Sequence, residues 1–249
     1  MAATPYLSVI IPVFNGEKYL AEAIGSIVDL GQEEMEITIV DDGSSDGTAQ
    51  IAARFRDRVA YVAQANRGPA AARNHGLSLA HGEIIGFLDA DDLWTENIIT
   101  QALASLRARP DVDIVQGRIQ EIKPRPTDAS GCVFECFSKP YPFINIGSAL
   151  YRKAVFGKVG GFDETMRFCE DYDWFLRAFD AHISKVRIDD VTLLYRAHSG
   201  GMTYGKSVHE IGMAKAHKKA IQRRRRGAVS NSLPNPFPTL AEYIGSRPS

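Results

Sequence analysis

The chain has 249 residues, 45% of them apolar and 24% charged, with a formal net charge of −1; this is the make-up of one globular α/β-sized unit and excludes wholesale disorder. A balance so close to neutral supplies no global attraction to nucleic acid, and contact with anionic lipid would need a local patch. Cys132, Cys136 and Cys169 cannot build a fully paired disulfide framework and lack zinc-finger spacing. With no leader-like N-terminus and no run near the roughly 20 apolar residues of a spanning helix, a reducing, cytoplasmic setting is expected.

In the first half, short β-branched runs alternate with helical patterns, the mark of βαβ units around a mostly parallel sheet. Leu7 to Val13 reads as a first strand, and after an Asn15-Gly16 turn Leu20, Ala23, Ile24, Ile27 and Val28 share one helical face that ends near Leu30-Gly31. Ile37 to Val40 is a second strand, Ser44-Ser45-Asp46 offers a cap to a helix carrying Ile51, Ala52 and Phe55, and Val59 to Ala63 is a third strand. Gly68-Pro69 opens an Ala-rich helix to about Ala80, and after Gly82 the run Glu83 to Leu88 forms a fourth strand.

From about residue 117 the alternation stops. Pro124, Pro126, Pro140 and Pro142 punctuate a stretch with short strand candidates at Cys132–Phe137 and Ile144–Tyr151, which reads as an irregular, partly antiparallel half. Phe168 to Phe179 patterns as a short helix, Val191 to Tyr195 as a last strand and Val208 to Arg226 as a basic helix, followed by a loose Pro- and Ser-rich tail. The expected organisation is one domain over 1–205, with halves meeting near 116, and an appended segment 206–249.

Chemistry concentrates where two strands run out. Asp41-Asp42 ends the second and Asp89-Ala90-Asp91-Asp92 ends the fourth, and in open α/β sheets ligands collect at such carboxyl ends. Packed carboxylates repel one another and need water or a cation; hard Mg²⁺ or Mn²⁺ takes oxygen ligands and shares them with phosphates. Arg67 and Arg73 flank the helix start at Gly68-Pro69, where amide donors and the positive helix end favour a phosphate.

With Glu170-Asp171 added, the chain resembles the family 2 glycosyltransferases of the GT-A fold. The matching segments are Ser8–Asn15, Val40–Thr48, Asn66–Asn74, Gly82–Asp92, Val159–Glu164, Cys169–Trp174 and Tyr195–His198, in family order. The resemblance implies a Rossmann-like, mostly parallel sheet flanked by helices, with a smaller, partly antiparallel acceptor side. It further implies an inverting, metal-dependent transfer of a sugar from a nucleoside-diphosphate donor, favoured as UDP-linked, to a hydroxyl of a glycan, lipid-linked or small-molecule acceptor, in cell-surface glycan synthesis. Asp89 and Asp91, with Ala90 between them, become the D-x-D element that holds Mn²⁺ or Mg²⁺ and through it the diphosphate; His198 takes a third ligand position. Asp41 and Asp42 lie beneath the base, Asp42 accepting from uracil N3–H, with Phe14 packing on the base and the Pro12 backbone closing the pocket. Arg67, Gly68 and Arg73 meet the phosphates. Asp171 is the base, Glu170 its alternate, and Trp174 the aromatic facing the acceptor.

Other readings stay open at this level: a phosphatase or phosphotransferase with Asp89 as nucleophile, a catalytically silent sugar-nucleotide binder, or Asp91-Asp92 as mere caps of a helix after Leu93-Trp94. Lys215, Lys218, Lys219 and Arg223 to Arg226 form a cationic segment, either a solvated helix end or a peripheral contact with an anionic membrane. Its apolar face of Val208, Ile211, Met213 and Ile221 is thin for an interfacial helix.

Overall fold

The computed structural model describes residues 5–31, 34–126, 132–202, 204–205, 212–226 and 239–245. The run Leu7–Val13 is buried at every position and forms β1, with β2 (Met35–Asp41) on one side and β4 (Ile84–Phe87) on the other; β3 (Ala60–Ala63) lies outside β2, and all four are parallel. A parallel strand covered on both faces has no polar side to show, hence a run that is apolar except at Ser8, whose buried hydroxyl donates to Glu36. Helix α1 (Leu20–Val28) shares one core with Val9, Ile11 and Val13, while α3 (Pro69–Leu79) shares the opposite one with Ile10. α3 lies so close that a Cβ on Gly76 would stand 2.4 Å from Ile10. Between them runs the short α2 (Thr48–Ala53), whose first amide donates to Asp46 Oδ1 at 3.0 Å.

Beyond β4 the sheet continues as β8 (Ala149–Arg152), β6 (Ile114–Pro126), β9 (Lys185–Arg196) and β5 (Leu93–Trp94), with β7 (Cys132–Cys136) hairpinned onto β6. β8 is antiparallel to both β4 and β6, β9 is parallel to β6, and β5 is antiparallel to β9. The order in which regular structure was expected to lapse is thus corrected: β6 runs through Pro124 and Pro126. Ile122 is the last β6 residue paired with β9, whose next amide, from Ala197, donates to its carbonyl. Positions 124 and 126 point to that same side, past the end of β9, where no donor is required of them. β9 also begins six residues earlier than its apolar tail suggests, because Lys185, Arg187, Asp189 and Asp190 mask it.

A π-helical turn (Ile98–Leu103) leads into α4 (Ala104–Ala108), and α5 (Ala154–Val159) precedes α6 (Glu170–Asp180), which buries Trp174, Phe175, Leu176, Ala178 and Phe179 in the core shared with Ile10. The basic segment forms α7 (Met213–Arg225), docked on α6: Arg223 Nη1 is 2.9 Å from Asp173 Oδ1, Arg224 Nη2 2.7 Å from Asp180 Oδ1, and Lys219 pairs with Asp163. Ala216 and Ala220 are buried in this contact and Ile221 is exposed; Val208 and Ile211 lie outside the described residues. The tail is not loose at α8 (Leu240–Ile244), which a Thr239/Glu242 capping box starts and whose Tyr243 and Ile244 enter the core. Among the described residues no helix is long and apolar enough to cross a membrane.

Candidate active site

Asp41 and Asp42 are both buried at the carboxyl end of β2, and the fold surrounds them with donors. Asp41 accepts from the Tyr61 hydroxyl at 2.5 Å and the Ser44 amide at 2.7 Å; burial, then Asp41 itself, pushes the Tyr61 phenol up to about 12. Asp42, 3% exposed, accepts from Gln64 Nε2 at 2.8 Å, the Arg67 amide at 2.9 Å and the Gly68 amide at 2.7 Å. A carboxylate has about four acceptor positions, so three of those on Asp42 are spent in shaping the loop that enters α3. The Arg67 and Gly68 amides, expected to meet a phosphate, are taken by that carboxylate, and Gly68 reaches it with φ of 92°, a conformation that favours glycine. Pro12 is buried within β1 and Phe14, just past its end, is 54% exposed, an apolar face open to a planar ligand.

Arg73 is not a solvent-facing phosphate ligand. On α3 and only 5% exposed, its guanidinium spans two carboxylates: Nη2 is 2.6 Å from Asp89 Oδ1 and Nη1 2.5 Å from Glu170 Oε1. Arg73 and Glu170 are 97 positions apart and Arg73 and Asp89 are 16 apart, so this one side chain makes the segment after β4 and the start of α6 face the same place. Desolvation opposes its charge, but Asp89 and Glu170 outweigh that and push the guanidinium still higher. Arg67 is exposed instead and pairs with Glu164 at 2.5 Å.

At the head of α6, Cys169 adopts φ of 58°, left-handed backbone that costs a non-glycine residue roughly 1 kcal/mol or more. Glu170 is buried on Arg73. Asp171 is half-buried and accepts from the Tyr172 amide at 2.7 Å. Burial and then the neighbouring Glu170 push the Asp171 carboxyl from 3.8 up to about 7, against the pull of Arg73 and that amide. Burial, then Asp171 and Glu170, push the Cys169 thiol up to about 12, which leaves it protonated and unreactive at neutral pH. Trp174 is corrected from acceptor-facing aromatic to core: it is 0% exposed, stacks on Phe156 with centroids 4.9 Å apart, and donates from Nε1 to the Gly160 carbonyl at 3.0 Å. It lies on the face of α6 that also carries Phe175, Ala178 and Phe179 into the core.

β5 pairing with β9 carries the other acids across the sheet to the end of β9. His198 Nε2 lies 2.9 Å from Asp91 Oδ2, its ring against Tyr19 at 4.7 Å. Asp92 caps no helix; it is fully buried, accepts from the Arg196 amide at 2.9 Å, and is pushed well above its usual range by burial and then by Asp91 and Asp89. Asp89 is turned to Arg73 rather than to this pair, and Ala90 is part-buried between them. Among the described residues no three His, Cys, Asp or Glu side chains converge on one point, so the expected trio of Asp89, Asp91 and His198 reduces to Asp91 with His198. Two protein donors still fit Mn²⁺ or Mg²⁺, because such ions commonly take one or two carboxylates and complete their shell with water and phosphate oxygens. The imidazole favours Mn²⁺ over oxygen-demanding Mg²⁺.

Tyr61, Gln64, Glu164 and Arg196 contribute to this region without a role read from the sequence, although Glu164 and Arg196 stand in two of the matching segments. Each acts through a partner at least 20 positions away, and only Tyr61 and Gln64, facing the Asp41-Asp42 strand from the next one, leave a usable signal in strand order.

A sequence model described as glycosyl transferase family 2 matches residues 8–160, ending before Glu170 and Asp171. An uncharacterized glycosyltransferase of Rickettsia prowazekii (strain Madrid E) is 28% identical over 213 residues, covering 80% of this chain and 66% of its own length. The uncharacterized glycosyltransferase EpsJ of Bacillus subtilis (strain 168) is 30% identical over 218 residues, covering 80% and 63%. The chain thus spans just under two thirds of these relatives. Among solved structures, S. aureus TarS 1-349 in complex with UDP-GlcNAc superposes with TM-score 0.67 at 22% identity, covering 86% of this chain and 65% of that one. The mannosyltransferase PcManGT from Pyrobaculum calidifontis, in complex with GDP-Man and Mn²⁺, gives 0.70 at 20% identity, covering 97% and 69%. At these identities the likeness is one of fold, and the fold is GT-A.

Proposed function

The chain belongs to glycosyl transferase family 2, and from that premise we propose that it transfers a sugar, with inversion, from a nucleoside-diphosphate donor, UDP-linked, to an acceptor hydroxyl in glycan synthesis. The observation that carries this reading is the meeting of Asp89 and Glu170 on one guanidinium, which sets the diphosphate-side acids and the Glu170-Asp171 pair around a single space. Asp171, raised to about 7, is matched to general-base work near neutral pH. Its carboxylate takes the acceptor's proton as the oxygen attacks the anomeric carbon from the face opposite the diphosphate; the bond to the departing oxygen breaks and its electron pair leaves with the diphosphate. Asp91 and His198 would hold the divalent cation, whose positive charge stabilises that leaving group. Phe14 stacks on the base, and the fourth acceptor position of Asp42 reads its edge. Arg67, exposed and paired with Glu164, is our candidate for meeting the diphosphate.

Asp89 as a phosphoryl-accepting nucleophile is disfavoured by its pairing with Arg73, which lowers the carboxylate's reactivity and covers an oxygen. Calorimetry with UDP, GDP and CDP, with and without Mn²⁺, tests the reading. Cation-dependent binding of one nucleotide, lost in Asp91→Asn, is the expected result; no nucleotide binding under any condition would overturn it.

A further inference from the structure

Resting on that reading, we propose that Arg73 is a positioning residue: by clamping Asp89 and Glu170 on one buried guanidinium it fixes which acid of the Glu170-Asp171 pair meets the acceptor and holds that acid at working distance from the donor side. The reasoning is geometric. Glu170 and Asp171 are adjacent at the first turn of α6, so either could face the space beyond. A guanidinium offers its N–H groups as a planar fork that fixes direction as well as distance. Nη1 holds Glu170 and Nη2 holds Asp89, at 2.5 and 2.6 Å, with all but 6% of the Arg73 side chain removed from solvent. Among the described residues Asp171 accepts only from the Tyr172 amide beside it in the chain, so no side chain ties it down, whereas Glu170 is tethered across the site to Arg73. Arg73 Nε has no hydrogen-bond partner among the described residues, which leaves the two carboxylates as the hydrogen-bond partners of its guanidinium, whose Cζ also lies 5.7 Å from the centre of the Phe162 ring.

The clamp has an electrostatic side. The charged and titratable groups that act on Asp171, or feel it, are Glu170 and Cys169 from its own segment, Arg73 from α3, Asp89 after β4, and Tyr151 from β8. One cation stands among three carboxylates. Removing it disfavours the ionised form of Asp171 and moves its titration to higher pH; removing the Glu170 charge does the reverse.

The test combines two readouts on the full chain: the Asp171 midpoint by ¹³C carboxyl NMR, and UDP release from UDP-N-acetylglucosamine with Mn²⁺ alongside calorimetric UDP affinity. Arg73→Lys keeps the charge and loses the fork; it should leave the midpoint within about half a unit and the UDP affinity within about threefold of wild type while lowering kcat by roughly tenfold or more. Arg73→Gln should raise the midpoint by about one unit or more. Because that variant strands the buried Glu170 and the part-buried Asp89 and risks the fold, Glu170→Gln, whose amide oxygen still accepts from Arg73, carries the same test with opposite sign: the midpoint should fall. Wild-type kcat in Arg73→Lys, or an unmoved midpoint in Glu170→Gln, would overturn the proposal. A loss confined to UDP affinity would also overturn it, by making Arg73 a diphosphate ligand. Wild-type protein that binds no nucleotide would sink the functional reading while the NMR titrations still decide the clamp.

Discussion

Asp41-Asp42 and Glu170-Asp171 are both pairs of adjacent acids at the end of a regular element, and the fold treats them in opposite ways. Around the first pair five donors converge on four oxygens, from Tyr61, Ser44, Gln64, Arg67 and Gly68. Around the second, Glu170 is bound by a single arginine and Asp171 by one amide. Burial of a carboxylate is expensive unless donors offset the lost water; where they do, the acid becomes scaffold, and where they fall short its proton affinity rises and it becomes usable for proton transfer. On the proposed reading the two pairs divide the labour of one site.

Breaking the under-satisfied pair should have the larger effect on turnover. Asp171→Asn is expected to lower sugar transfer by roughly 10² or more, the usual scale of a lost general base, with calorimetric UDP affinity within a few fold; near-wild-type turnover would return the role to Glu170. Breaking the satisfied pair should instead strike the fold. Asp42→Asn keeps an acceptor for either the Gln64 and Arg67 donors on one oxygen or the Gly68 amide on the other, and its NH2 group opposes whichever side is left; with each stranded buried donor costing about 1–3 kcal/mol a loss of roughly 2–3 kcal/mol, or about 5–10 °C in Tm, should appear in thermal melts.

The contrast sharpens with pH. Asp171 has its folded-state pKa raised from 3.8 to about 7, so the stability gained by keeping its proton is fully present below about pH 4 and lost as pH rises through about 7. Asp171→Asn should accordingly be close to wild type in stability at pH 4 and more stable than wild type at pH 8, while the wild-type rate falls as pH drops below about 7. A stability difference that does not grow between those two pH values would break the argument. The smallest effect expected is at the buttress behind the base: Arg223→Gln, which removes a partner of buried Asp173, should cost about 1–2 kcal/mol in chemical denaturation, against within about 0.5 kcal/mol for exposed Arg226→Gln.

How much of this was legible before folding divides along the same line as the sheet. The parallel strands announced themselves because burial on both faces of β1 and β4 leaves them almost wholly apolar and turn residues and helical patterns separate the strands. Both acid clusters were readable at strand ends for the same reason. The antiparallel half hid β6 behind Pro124 and Pro126 and the start of β9 behind charges, since a strand with an open side need not be apolar or donate every amide. Trp174 was misplaced because proximity in sequence to Asp171 does not say which face of α6 a side chain takes. The basic residues of α7 looked solvent-directed, and their partners Asp163, Asp173 and Asp180 are visible as partners only once α6 and α7 pack.

The sequence by itself determined the βαβ half, the family, and the chemical types gathered at the site, because periodicity and local motifs are short-range properties of a chain. Only the tertiary structure decided that Asp42 holds a loop, that Asp91 meets His198 while Asp89 goes to Arg73, and that Asp171 is left short of donors. Those outcomes depend on which groups 20 to more than 100 positions apart compete for the same donor, and that competition exists only after the sheet has brought them together.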